Sequence, residues 1–186
     1  LGQAYEDAGY DVRVITLPEH DVTKTLFTPD TIIFKKYGIY SMGDISIPIK
    51  RIYGVIAALP CTEFASSGAR WWQSKPPEKH QNALDVAAFC MHIIIVANPV
   101  FWAIENPIGR LGDVLGPPVM YFNPCDYGDP YTKKTCLWGN FKKPKKSPVE
   151  PTEGSKLWRL SPSKDRAKLR AITPPGFAKA FFESNR

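Results

Sequence analysis

Two residues of this 186-residue chain stand where a side chain can do covalent and acid–base chemistry, Cys61 and Glu105. Cys61 follows an apolar run directly, in Leu59-Pro60-Cys61-Thr62-Glu63-Phe64, which puts its sulfur at the end of an expected buried strand. A thiolate in that place is a candidate nucleophile, and the competing reading is a small buried hydrophobe. Glu105 ends a second apolar run 44 positions further on, in Ala103-Ile104-Glu105-Asn106-Pro107. Its carboxyl can trade protons with a reacting group, or it can cap the next helix. Together the two make a nucleophile and an acid at neighbouring strand ends. The other cysteines have duller surroundings: Cys90 lies in a helical pattern, Cys136 in an expected edge strand and Cys125 in a turn.

The elements that must carry this pair follow from periodicity. Residues 1–8 favour helix with Gly9 placed to stop it, and the β-branched residues 12–15 form a short strand. Residues 32–34 and 39–42 are weaker strands, while 53–59 is a continuous apolar run of the kind that buried parallel strands show, ended by Pro60. From 79 to 97, Leu84, Ala87, Ala88, Met91, Ile94 and Ile95 recur at helical spacing. Residues 100–104 give another buried strand. Residues 119–122 and 135–138 form an antiparallel hairpin at the sheet edge across the turn-rich stretch from Cys125 to Pro130. Residues 142–153 read as a surface loop, and Pro174-Pro175 opens a last helix to about Phe182. Strands separated by helices predict a doubly wound, Rossmann-like α/β sheet, mostly parallel, whose ligands gather at the carboxyl ends of its strands.

Composition bounds the rest. With 44% hydrophobic and 23% charged residues the chain can bury one core, so a single domain over 1–186 is expected, with a basic arm at about 139–170. The longest apolar runs fall short of the roughly 18 residues of a membrane helix, so no membrane partner is expected. The four cysteines lack Cys-x-x-Cys spacing and His20, His80 and His92 are scattered, which predicts no metal site and a reducing, cytoplasmic compartment. Net charge is +6, but residues 133–170 hold twelve Lys or Arg against three acids, a local +9. Such a stretch draws a polyanion, or it is a solvated surface.

Pro60-Cys61 after one strand and Glu105-Asn106-Pro107 after the next resemble the catalytic motifs of DNA cytosine-5 methyltransferases. Further segments keep that family's order. Gly43-Asp44-Ile45 resembles the motif whose acid holds the cofactor adenine. Asp126-Tyr127-Gly128-Asp129-Pro130 with Lys133-Lys134-Thr135 resembles the Tyr-Gly-x-Pro-Gln-x-Arg segment, with lysines in place of glutamine and arginine. Ile172-Thr173-Pro174-Pro175 resembles the closing motif. The stretches Ser66 to Trp72 and Lys134 to Trp138 are similar to a compact branch common in phages and prophages.

The resemblance implies methyl transfer from S-adenosylmethionine to C5 of a cytosine flipped out of double-stranded DNA, in a bacterial or phage-infected cell. Cys61 would add to C6, Glu105 would hydrogen-bond the N3 and amino edge, and Lys134 would stand in the arginine's place. Arg70 and Trp71, with Trp72, would fill the gap left by the base, although paired tryptophans also serve as core. Lys133, Lys142, Lys143, Lys145 and Lys146 would meet phosphates. Asp44, Pro60, Thr173 and Glu19 would line the cofactor site; after residues 12–15, where an acid usually grips the ribose, the chain has Thr16-Leu17 and Glu19 is the substitute. The family's first strand and Gly-rich loop are expected ahead of Leu1. A monomer is expected. The alternatives are a catalytically silent DNA-binding relative, and an enzyme modifying C5 of free cytosine nucleotides.

Overall fold

The structure is a computed structural model that describes residues 1–17, 19–36, 43–66, 72–163 and 165–186. It is a mixed α/β arrangement built on two sheets. The first has three short antiparallel strands, β1 (Leu26–Phe27), β2 (Thr31–Phe34) and β3 (Ile45–Pro48), in the order β1-β2-β3. The second has β4 (Gly54–Ala58), β5 (Phe101–Pro107), β6 (Met120–Phe122) and β7 (Thr135–Asn140), in the order β4-β5-β7-β6. β4 and β5 are parallel, and β7 runs antiparallel to both of its neighbours. β4, β5 and β6 therefore point one way, with β7 reversed between β5 and β6.

The helices are α1 (Gly2–Asp7), α2 (Cys61–Phe64), α3 (Pro77–Ala97), α4 (Gly112–Leu115), α5 (Arg166–Ala171) and α6 (Pro175–Ser184). Side chains alternate across β5 and β7 and send two cores to opposite faces of the sheet. On one face Ile104, Cys136 and Trp138 pack with Phe64 and with Ala83, Ala87 and Ile94 of α3. On the other, Phe101, Ala103 and Leu137 pack with Tyr5 of α1 and with Phe177 and Phe181 of α6. A third core joins Ile32 and Phe34 of β2 to Ile93 and Ala97 of α3. Proline at the first turn starts α3, and Asn98 in the left-handed conformation (φ 41°) closes it.

Most expected elements are present, with four corrections. Residues 12–15 form no strand: that β-branched run has no neighbour to pair with among the described residues, and Val12 and Ile15 pack singly against two different cores while Val14 is exposed. The four-stranded sheet has one parallel pairing out of three, because the reversed β7 separates β5 from β6. Ala88 and Ile95 are exposed, since α3 bridges two cores and turns Ala83 and Ile93 inward instead. Finally, α3 at 21 residues and mean hydropathy 1.3 is long and apolar enough to cross a membrane by composition, because Asn98 and Pro99 end the helix rather than interrupt it. Here it packs as a core helix between the sheets. The expected strand at 39–42 lies outside the described residues.

Candidate active site

β4 and β5 set the register of the candidate site. Ala58, the last residue of β4, is the parallel partner of Glu105. Leu59 is buried, Pro60 caps α2, and Cys61 is the first residue of that four-residue helix, with an exposed thiol. Glu105 sits inside β5 rather than beyond it, because pairing with β7 carries the strand on to Pro107. That pairing sets Glu105 opposite Leu137 and half-buries it. Burial raises its carboxyl above the usual range, and the nearby charge of Lys133 acts in the opposite direction.

The next side chain points to the opposite face and fastens the two strand ends together. Asn106 is fully buried, and its Nδ2 donates to the Leu59 carbonyl at 3.0 Å, two residues before Cys61. Its Oδ1 is buried without a hydrogen-bond partner. Beyond both strand ends the chains are zipped again: Ala65 bridges Gly109, Ser66 N–H donates to the Ile108 carbonyl at 2.8 Å, and Arg110 N–H donates to the Phe64 carbonyl at 2.6 Å. A Cβ at Gly109 would lie 1.8 Å from the Phe64 oxygen, so glycine alone permits this approach. The backbone that bears the thiol is thus tied to the backbone that bears the carboxyl by one side-chain bond and two main-chain bonds.

A polar clasp holds the far side of α2. Lys75 Nζ donates to the Thr62 carbonyl and to Glu63 Oε2, each at 2.8 Å, and His80 Nδ1 lies 3.8 Å from the same carboxylate. Trp72 stacks on His80 with centroids 3.8 Å apart, and the Arg110 guanidinium lies 4.6 Å from its centroid. Trp72 is therefore packing, joined to the Phe64 core. Arg70 and Trp71 lie outside the described residues.

The chain matches no protein-family model and no curated protein.

Of the two lysines before β7, Lys133 is the one whose charge reaches Glu105, whereas Lys134 acts on Cys136 and lies 5.6 Å from the Tyr121 ring. Burial pushes the Cys90 thiol up to about 11 and also raises that of Cys136. Cys61 is the exposed cysteine of the four.

The expected cofactor residues are brought together only in part: His20, next to Glu19, bridges Lys36 and lies 3.4 Å from the Gly43 carbonyl beside Asp44, whereas Thr173 lies in a separate depression. Asp44 Oδ2 accepts from Lys35 Nζ at 2.7 Å and its Oδ1 from Lys36 N–H at 2.9 Å, so both oxygens staple the β2–β3 connection, and these bonds hold the carboxyl below its usual range. Glu19 and Pro60 are exposed. Thr173 borders a depression of about 540 Å³ between α1 and α6 whose lining includes none of the other three.

The basic arm is fastened at both ends. The side-chain amide of Asn185 accepts from Lys142 N–H at 2.8 Å and donates to the Lys142 carbonyl at 3.0 Å. Ser147 N–H and Val149 N–H donate to the Asp126 and Cys125 carbonyls, each at 2.9 Å. Between these anchors Lys142, Lys143 and Lys145 are exposed, while Lys146 pairs with Asp126 at 3.3 Å. Sequence reasoning named Asn106 within a motif without giving it a task and overlooked Gly109; that Leu59-Pro60-Cys61 and Glu105-Asn106-Pro107 both follow apolar runs was the available signal that the two segments meet.

Proposed function

We propose that this chain is the catalytic domain of a cytoplasmic DNA cytosine-5 methyltransferase that acts on double-stranded DNA as a monomer. One observation carries the reading: an exposed Cys61 and a burial-raised Glu105 stand at the joined ends of two parallel strands, with Asn106 linking them. Cytosine C5 is a poor nucleophile until a nucleophile adds to C6. The Cys61 thiolate makes that bond, and Glu105, whose carboxyl burial raises above its usual range, hydrogen-bonds the N3 edge as charge builds there. Lys134 stands in the place of the motif's arginine, and the charge of Lys133 acts on the Glu105 carboxyl from the same segment. Lys142, Lys143 and Lys145 neutralise phosphates from an arm held in place rather than trailing. The strand directions fit a doubly wound methyltransferase-type sheet.

S-adenosylmethionine is the methyl donor that the resemblance implies, and Asp44, Glu19, Pro60 and Thr173 do not make a common pocket for it. That mismatch favours a second reading, a relative that binds DNA and adds Cys61 to the base without transferring methyl. The test of the shared chemistry needs no donor. When Cys61 adds to C6, C5 takes up a solvent proton; removing the original C5 hydrogen and expelling the thiolate restores cytosine with the hydrogen exchanged. A duplex tritiated at cytosine C5 should lose tritium to water with the wild-type protein and not with Cys61→Ser. Glu105→Gln should slow the release on the order of a hundredfold. Release that survives Cys61→Ser overturns the assignment, and adding S-adenosylmethionine and assaying for methylated cytosine separates the two readings.

A further inference from the structure

We propose that Trp158 is a stacking platform for an unstacked DNA base, which extends the DNA-methyltransferase reading to a residue outside its motifs and rests on that reading for the partner. Tryptophan carries a large apolar surface and usually buries most of it, yet Trp158 is 66% exposed. The turn that presents it is tied down from several sides. Thr132 N–H donates to the Gly154 carbonyl at 2.9 Å, Glu153 N–H donates to the Pro130 carbonyl at 2.8 Å, and the Thr132 and Ser155 hydroxyls are 3.1 Å apart. The Lys156 ammonium pairs with Glu153 and lies 4.2 Å from the Tyr131 centroid. Trp158 N–H then closes the turn on the Ser155 carbonyl at 3.0 Å. An exposed ring on an anchored turn loses little freedom when a ligand stacks on it.

The surroundings select the ligand. Arg159, next in sequence, is exposed with its guanidinium carried back toward Gly154, and Arg166 reaches the Trp158 carbonyl with a long bond of 3.5 Å; among the described residues neither cation is paired with a carboxylate, and the ring stands within residues 133–170, whose local charge is +9. An exposed aromatic face within a strongly basic stretch suits a base flanked by phosphates. The tether gives the placement a purpose: Thr132, which holds the turn, precedes Lys133, whose charge reaches Glu105. The platform is thereby linked to the strand end where a base would react.

Equilibrium binding to a short duplex with one mismatched cytosine, measured across a salt series, tests this. Trp158→Ala should weaken binding roughly five- to 150-fold while leaving the salt slope unchanged, and Trp158→Phe should restore most of the loss. Arg159→Ala should lower the slope by about 0.9. Heparin, a polyanion without bases, should bind the wild type and Trp158→Ala equally. If the wild type binds the duplex and Trp158→Ala binds it as tightly, or loses heparin in the same proportion, the platform is refuted while the methyltransferase reading stands. If the wild type binds no DNA, both fall.

Discussion

Replacing Gly109 by alanine tests whether the joined strand ends are as close as described. The added Cβ would meet the Phe64 carbonyl oxygen at 1.8 Å and the Ala65 Cα at 2.7 Å, against an ordinary contact of 3.4 Å or more. The Phe64 carbonyl must retreat by about 1.5 Å, beyond the range in which its 2.6 Å bond from Arg110 N–H survives. The companion bond from Ser66 to Ile108 shifts with it. Two main-chain bonds contribute about 0.5–1.5 kcal/mol each, and forcing a methyl into a packed junction costs about 1–3 kcal/mol. A loss of about 3 kcal/mol corresponds to a melting temperature lower by about 10 °C for a domain of this size. Gly112→Ala is the control: nothing lies within 4 Å of its Cβ position, so it should leave stability unchanged or raise it by less than about 1 kcal/mol. Thermal unfolding followed by circular dichroism reads both variants, and tritium release reads the displacement of Cys61. Equal melting temperatures for Gly109→Ala and Gly112→Ala would show that the two backbones do not touch.

Three further outcomes are expected. Because burial raises the Glu105 carboxyl, the native state disfavours the ionised form; Glu105→Gln should match the wild type below about pH 4 and become the more stable protein as pH rises through the raised value, whereas a gap independent of pH would contradict this. Neutralising Lys142, Lys143 and Lys145 together should reduce the salt slope of duplex binding by about 2.7, and adding Lys146→Ala, whose partner is Asp126, should change it less than each of the others; four equal steps would count against the pairing. Iodoacetamide at mildly alkaline pH should label Cys61 well before Cys90 and Cys136, as peptide mass mapping would show, and a Cys90 adduct forming first would invert the exposure described.

Much of this arrangement can be read from residue order, and the failures have definite causes. The apolar runs before Cys61 and Glu105 mark the parallel pair β4 and β5 because strands covered on both faces need apolar residues at nearly every position. The same logic fails at residues 12–15, where propensity is right and a pairing partner is missing. β3 passes unnoticed because Ile45 and Ile47 give only a brief alternation ended by Pro48. A motif fixes Lys134 by spacing alone, whereas which lysine's charge acts on Glu105 depends on the path of residues 132–134 ahead of β7. Family order alone groups Thr173 with Asp44 and Glu19, and order contains no information on distance.

The reversed strand at the centre of the sheet also constrains how the polypeptide can assemble. As the chain emerges during synthesis, β4, α3 and β5 can dock in sequence, but β6 then has no neighbour: the slot beside β5 belongs to β7, which arrives later. Until residue 140 is available, β5 keeps one edge bare, and the apolar stretch Met120–Phe122 waits unpaired. A ribosome paused between these strands would expose a sticky edge, and the sheet closes only when β7 arrives to pair with both β5 and β6. Slow codons or a chaperone acting on nascent chains would therefore matter most within residues 108–140, and refolding from denaturant should be limited by the pairing of β7 rather than by collapse of α3 on β4.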